Sequence, residues 1–87
     1  MLESQIQSKI TQKLKSHGWF VTKLIQTSTN GIPDLMAIRE GVVIFLEVKQ
    51  PGKKASPLQD HQIEGLIRCG VEARVVSSLE DIEIYCK

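Results

Sequence analysis

Glu47 and Lys49 stand two residues apart at the end of an otherwise apolar run, Val42-Val43-Ile44-Phe45-Leu46-Glu47-Val48-Lys49. Alternate side chains of a strand share a face, so this acid and this base point the same way. Burying both is costly unless something pairs with them. A strand end that emerges into solvent would account for such a pair without any chemistry. Asp34 shifts the balance. Glu40-Gly41 reads as a tight turn, so Asp34 to Arg39 and Val42 to Lys49 form a hairpin. Counting back from the turn sets the Asp34 end of one strand beside the Glu47–Lys49 end of the other. Two carboxylates so close repel unless a cation lies between them. A Mg²⁺ ion held by one or two carboxylates, a carbonyl and waters, with a substrate phosphate completing its shell, meets that need. The plain alternative for Asp34 is turn chemistry after Pro33.

The elements that must position these residues can be read along the chain. Glu3 to His17 has the pattern of an amphipathic helix, with Ile6, Ile10 and Leu14 on one stripe and Gly18 as the stop. Trp19 to Ile25 reads as a strand and Gln26 to Pro33 as a polar loop. The near-continuous apolar run of Val42 to Lys49 implies a central strand covered on both faces. Pro51 to Ala55 is a loop. Ser56-Pro57-Leu58-Gln59 is a helix-start signal, with Ser at the N-cap, Pro at N1 and Gln completing a capping box. That helix runs to about Cys69, its apolar side supplied by Leu58, Ile63, Leu66 and Ile67, and Gly70 ends it. Glu72 to Val76 is a fourth strand, and Ser77-Ser78-Leu79-Glu80 opens a short final helix with a second capping-box pattern. The order α-β-β-β-α-β plus a short helix gives an α/β fold, a mixed sheet flanked by helices. Its βαβ unit should be parallel and right-handed.

At 87 residues the chain has room for one domain, 1–87, with a modest core. No stretch is apolar enough to cross a membrane, and the polar start Met1-Leu2-Glu3-Ser4-Gln5 does not read as a signal peptide, so a cytoplasmic location is expected. Cys69 and Cys86 form no C-x-x-C pair and have no histidine partner at zinc-site spacing. Free thiols are expected rather than a structural zinc. His17 and His61 are too few and too scattered for a metal cluster. A net charge of +1 is low for a stand-alone nucleic-acid-binding domain. It is compatible with a site whose acids offset lysines elsewhere and whose metal supplies positive charge where phosphate sits.

Other polar residues have two readings. Glu3 lies on the inward stripe with Ile6 and Ile10, yet an acid in the first turn also complements the helix dipole. Gln59 has its capping box. Lys53 and Lys54 could touch phosphates or be a solvated loop pair, and Lys9, Lys13 and Lys15 form a polar helix face.

Gly31-Ile32-Pro33-Asp34-Leu35, then Phe45-Leu46-Glu47-Val48-Lys49, then Leu58-Gln59 with Leu66 and Gly70 beyond, resembles the VRR-NUC (virus-type replication-repair nuclease) family of the PD-(D/E)xK superfamily. The likeness runs from Glu3 to about Ser77 and is to the stand-alone, phage-encoded versions, which would place the protein in a host cytoplasm. It implies a restriction-endonuclease-like fold and a metal-dependent DNA endonuclease. Asp34 and Glu47 would be metal ligands, joined by the backbone carbonyl of Val48. Lys49 would orient or help activate the attacking water. Glu3 would bind a metal-bound water or a second metal. Gln59 would match the superfamily's supporting helix glutamine, a role for which Gln62 is less suited because it does not follow Ser56 at the usual interval. Mg²⁺ is the expected cofactor, with Mn²⁺ able to take its place and no small-molecule cofactor. The expected partner is structured or duplex DNA, such as Holliday junctions or flaps. Cutting two strands needs two sites in fixed relation, which a two-fold homodimer supplies. The competing readings are a non-catalytic nucleic-acid-binding module, disfavoured by the near-neutral charge, and a protein-interaction domain.

Overall fold

The computed structural model describes all residues, 1–87. Helix α1 spans Glu3–Ser16 and strand β1 spans Phe20–Lys23. Strands β2 (Leu35–Arg39) and β3 (Val42–Val48) follow, then helix α2 (Pro57–Arg68), strand β4 (Glu72–Val76) and a C-terminal 3₁₀ helix, Glu80–Tyr85. The four strands form one mixed sheet in the order β1-β2-β3-β4, antiparallel up to β3 and parallel between β3 and β4. This is the α/β order that the sequence pattern implies. The Glu40-Gly41 turn has positive φ at both residues, 51° and 80°. That backbone twist matches the twist of the flanking strands and fixes Arg39 opposite Val42.

The sheet has two unlike faces. Ile44, Leu46 and Val48 of β3 pack with Ile6, Ile10 and Leu14 of α1 and with Ile82 and Tyr85 of the 3₁₀ helix in the main core. Trp19 closes one end of it, donating its indole N–H to the Tyr85 carbonyl at 2.8 Å. The opposite face carries Phe20, Met36, Ile38, Val43 and Phe45, which the pairing register sets side by side. None of these five is buried. The expectation that β3 is covered on both faces therefore holds for one face only.

A strand boundary, a helix face and a cap differ from the sequence expectation. Strand β1 stops at Lys23, although the Leu24 N–H still reaches the Asp34 carbonyl at 2.8 Å before the chain turns away. Of the apolar residues expected to seat α2, only Ile63 is buried, while Leu58 and Ile67 are 47% and 52% exposed. The helix leans on the β4 side of the sheet and so presents a narrow stripe to it. The second capping box does not form: Ser77 and Glu80 do not cap each other, and the Asp81 carboxylate accepts the Ser77 N–H at 2.8 Å instead.

Candidate active site

Antiparallel pairing of Leu35 with Leu46, continued one step, sets Asp34 directly opposite Glu47. Asp34 precedes β2 rather than opening it. Its backbone is held from the other side by Leu24, and its Oδ2 accepts the Val48 N–H at 3.0 Å. The aspartate is thus fixed at both ends, and the fixing group belongs to the residue between Glu47 and Lys49.

Glu47 is 2% exposed and is the one buried charged residue of the chain. It projects from the α2 face. Its Oε2 receives the Gln59 Nε2 at 3.3 Å and lies 3.5 Å from the Lys49 ammonium. Its Oε1 has no hydrogen-bond partner. Burial first, and the nearby Asp34 charge second, raise its pKa from 4.5 to about 7, against the opposing pull of Lys49. A buried, half-satisfied carboxylate next to a second carboxylate is costly to keep ionised.

Gln59 serves both of the roles open to it. Its Oε1 accepts the Ser56 N–H at 2.8 Å and its own N–H donates to Ser56 Oγ at 3.1 Å, completing the capping box. Its remaining amide group reaches Glu47. The cap therefore aims the amide at the acid. Gln62 packs near Gly31 instead.

Glu3 is part-exposed in the first turn of α1. A Gln50 Nε2 bond to the Met1 carbonyl, 3.2 Å long, ties that end of the helix to the chain just beyond Lys49. The Glu3 side chain forms no hydrogen bond or ion pair, and no three acidic, histidine or cysteine side chains are gathered around one point. Lys53 and Lys54 are exposed and form no ion pair. Cys69 and Cys86 are free thiols.

Residues 1–80 match the sequence model of the VRR-NUC domain. The chain belongs to the VRR-NUC family. One relative is "Putative nuclease p44" of Acyrthosiphon pisum secondary endosymbiont phage 1. It is 30% identical over 77 residues, which cover 87% of this chain and 83% of that protein. A solved structure described as a VRR_NUC domain superposes with a TM-score of 0.84 at 28% identity, covering 94% of this chain and 90% of the other. A second, a VRR_NUC domain protein, gives 0.79 at 19% identity over 98% and 88% of the two chains, a likeness of fold. The fold of this VRR-NUC chain is thus that of solved family structures, and no helix in it is long and apolar enough to cross a membrane.

The sequence reading passed over two features next to the pair. Beside Asp34 the Gln26–Asn30 loop encloses an open, polar groove of about 750 Å³. The sequence carries only an uncharged run from Leu24 to Pro33, which does not by itself mark a groove. Gly31, read as loop punctuation, has φ 84°, and a Cβ there would stand 2.8 Å from Leu58 Cγ. The loop is docked onto the first turn of α2, the turn that carries Gln59.

Proposed function

We propose that this protein is a divalent-metal-dependent DNA endonuclease whose site is built from Asp34, Glu47 and Lys49. The observation that carries the reading is the unpartnered, buried Glu47 Oε1 beside the Asp34 carboxylate. Such an atom suits a cation, and Mg²⁺ or Mn²⁺ matches oxygen ligands of this kind. Asp34, Glu47 and the backbone carbonyl of Val48 would hold the ion, with Glu3 contributing from the outer side. A bound divalent cation supplies Lewis-acid polarisation of a phosphodiester and acidifies water.

The chain's own residues do the positioning. The Val48 N–H fixes Asp34, and Gln59 holds Glu47 Oε2 so that Oε1 is left free. Lys49 keeps an ammonium beside the place where negative charge develops on the phosphoryl oxygens and orients the attacking water. A bound cation would favour the ionised form of Glu47, so that the pair, costly by itself, would serve as a ligand set.

The substrate class that fits is structured or duplex DNA, including junctions and flaps, cut by a homodimer. The half-covered apolar face of the sheet, with Phe20 63% exposed, is suited to burial against a second copy. The activity test is cleavage of plasmid, flap and four-way-junction DNA with and without Mg²⁺ or Mn²⁺. Metal-dependent cutting that Asp34→Ala and Glu47→Ala abolish is the expected result. Calorimetry showing no Mn²⁺ binding by the unaltered chain would overturn it. Light scattering tests the dimer, which Phe20→Ser should weaken.

A further inference from the structure

We infer that the Leu24–Pro33 loop is the element that reads the DNA next to the cut, with Ile25 as an apolar wedge against a base. The inference rests on the nuclease reading above and goes beyond it by naming the contact that selects the cleavage position. The loop borders the site directly, because Asp34 lines the same groove as Gln26, Thr27, Ser28, Thr29 and Asn30. Residues 24–33 contain no charged side chain, so this surface does not neutralise phosphates. Amide and hydroxyl groups suit base edges, which is where sequence and structure are read. Phosphate contact would fall instead to lysines outside the loop, such as Lys49 beside Glu47 and the exposed Lys23 that precedes Leu24.

Ile25 is 80% exposed on the groove's lining, the most exposed large hydrophobic residue of the chain. Aliphatic side chains that DNA-binding proteins insert between base steps partly unstack them. The loop is formed before any ligand arrives. Thr27 Oγ1 donates to the Thr29 carbonyl at 2.7 Å, and Gly31 seats the loop against Leu58. Leu24 and Asp34 close its two ends through a 2.8 Å bond. A loop tied at both ends, with one free apolar side chain, can bring that side chain against a base close to Asp34.

The experiment mixes the full chain and Mg²⁺ with duplex and junction DNA whose cut position has been mapped. A 2-aminopurine is placed at each nucleotide flanking the cut in turn. A fluorescence rise that precedes cleavage at one flanking position is expected for the unaltered chain. Ile25→Ala should lose that rise and cut roughly tenfold more slowly in single turnover, with Mn²⁺ affinity unchanged. Ile25→Leu should keep both. Because Ile25 is solvent-exposed, the alanine variant retains its fold, which thermal melting checks. An unaltered chain that cuts with no fluorescence rise overturns the inference, as does an Ile25→Ala chain that matches it in both readouts. A chain that binds no Mn²⁺ and cuts none of these substrates overturns the nuclease reading and this inference together.

Discussion

On the α1 side of the sheet, Ile6, Ile10 and Leu14 close over Ile44, Leu46 and Val48, and no charged side chain is buried there; Arg39 stays at the rim, its guanidinium 4.7 Å over the Trp19 ring. On the α2 side the same strand offers Val43 and Phe45, both half-exposed, and then Glu47, buried with one oxygen unpaired. One face follows the ordinary rule that apolar surface is removed from water. The other leaves apolar surface uncovered and buries a carboxylate. A domain of this size has little stability to spare, so a face that departs from the rule at both points is under a different demand. Adjacent strands of one sheet serve both demands because the strand period is two: each residue step moves from the packed face to the one that carries Glu47.

The sharpest break between the faces is in what a single alanine removes. Asp34→Ala or Glu47→Ala should lower cleavage by about a thousandfold or more, since the loss of a metal-holding carboxylate removes the group that supplies the chemistry. Without metal, Glu47→Ala should melt no lower than the unaltered chain at neutral pH, because the buried carboxylate is costly when empty, whereas Asp34→Ala also deprives the buried Val48 N–H of its acceptor and should melt lower. Calorimetry with Mn²⁺ and thermal melting on one preparation read both effects. A Glu47→Ala chain that still cuts would dissolve the comparison.

The reverse holds for the core. Ile10→Ala removes a fully buried side chain and should cost roughly 2–5 kcal/mol of folding stability. Met36→Ala, on the half-covered face, should cost roughly 1 kcal/mol or less in the monomer. Urea titrations of the two variants measure the difference directly. Equal losses would mean that the α2 face is as tightly packed as the α1 face.

Acidity distinguishes the faces as well. Glu47 has its pKa raised from 4.5 to about 7, chiefly by burial and then by Asp34. In the metal-free protein the folded state therefore holds a proton across that window after the unfolded chain has lost it. A folded state that binds more protons loses stability as pH rises. Glu47's contribution should be most favourable below about pH 4.5 and fall by about 3 kcal/mol up to about pH 7, following the size of the shift. The difference in urea stability between the unaltered chain and Glu47→Gln isolates this slope from that of the other carboxylates. Saturating Mn²⁺ should flatten it. A slope of opposite sign would mean that Glu47 is stabilised as an anion in the empty site.

How much of this the sequence carried depends on how local the cause is. The hairpin follows from two residues, Glu40 and Gly41, and once its register is set Asp34 must meet Glu47. The first capping box follows from Ser56 and Gln59, and Gly18 and Gly70 mark helix ends through their own backbone preference. What was not legible depends on contacts between distant elements. Apolar spacing makes Leu58 and Ile67 look like core, but only the docking angle of α2 decides which of its apolar residues meet the sheet, and it leaves these two exposed. Ser77 and Glu80 have the spacing of a capping box, yet Asp81 reaches the Ser77 N–H first. The groove beside Asp34 was invisible for a similar reason, since ten uncharged residues do not show by themselves that they curve around a site. Glu3 belongs to the same class: helical periodicity places it on the inward stripe, but only the tilt of α1 decides how far its carboxylate stands from the pair.

Gln59 is the point where the two kinds of role meet, and two substitutions pull them apart. Ser56→Ala removes the hydroxyl that accepts the Gln59 N–H and should cost about 1 kcal/mol of stability, the usual worth of an N-cap. It leaves the Gln59 side-chain bond to the Ser56 N–H in place, and with it the hold on Glu47. Its cleavage rate should stay close to that of the unaltered chain. Gln59→Ala should cost a similar amount of stability and, in addition, free Glu47 Oε2, lowering the single-turnover rate by roughly tenfold. Gln59→Glu would restore an acceptor for the Ser56 N–H but set a third acid against Glu47, so it should recover the cap and not the rate. If Ser56→Ala slows cleavage as much as Gln59→Ala does, the glutamine acts only by holding the helix, and its bond to Glu47 has no part in the chemistry.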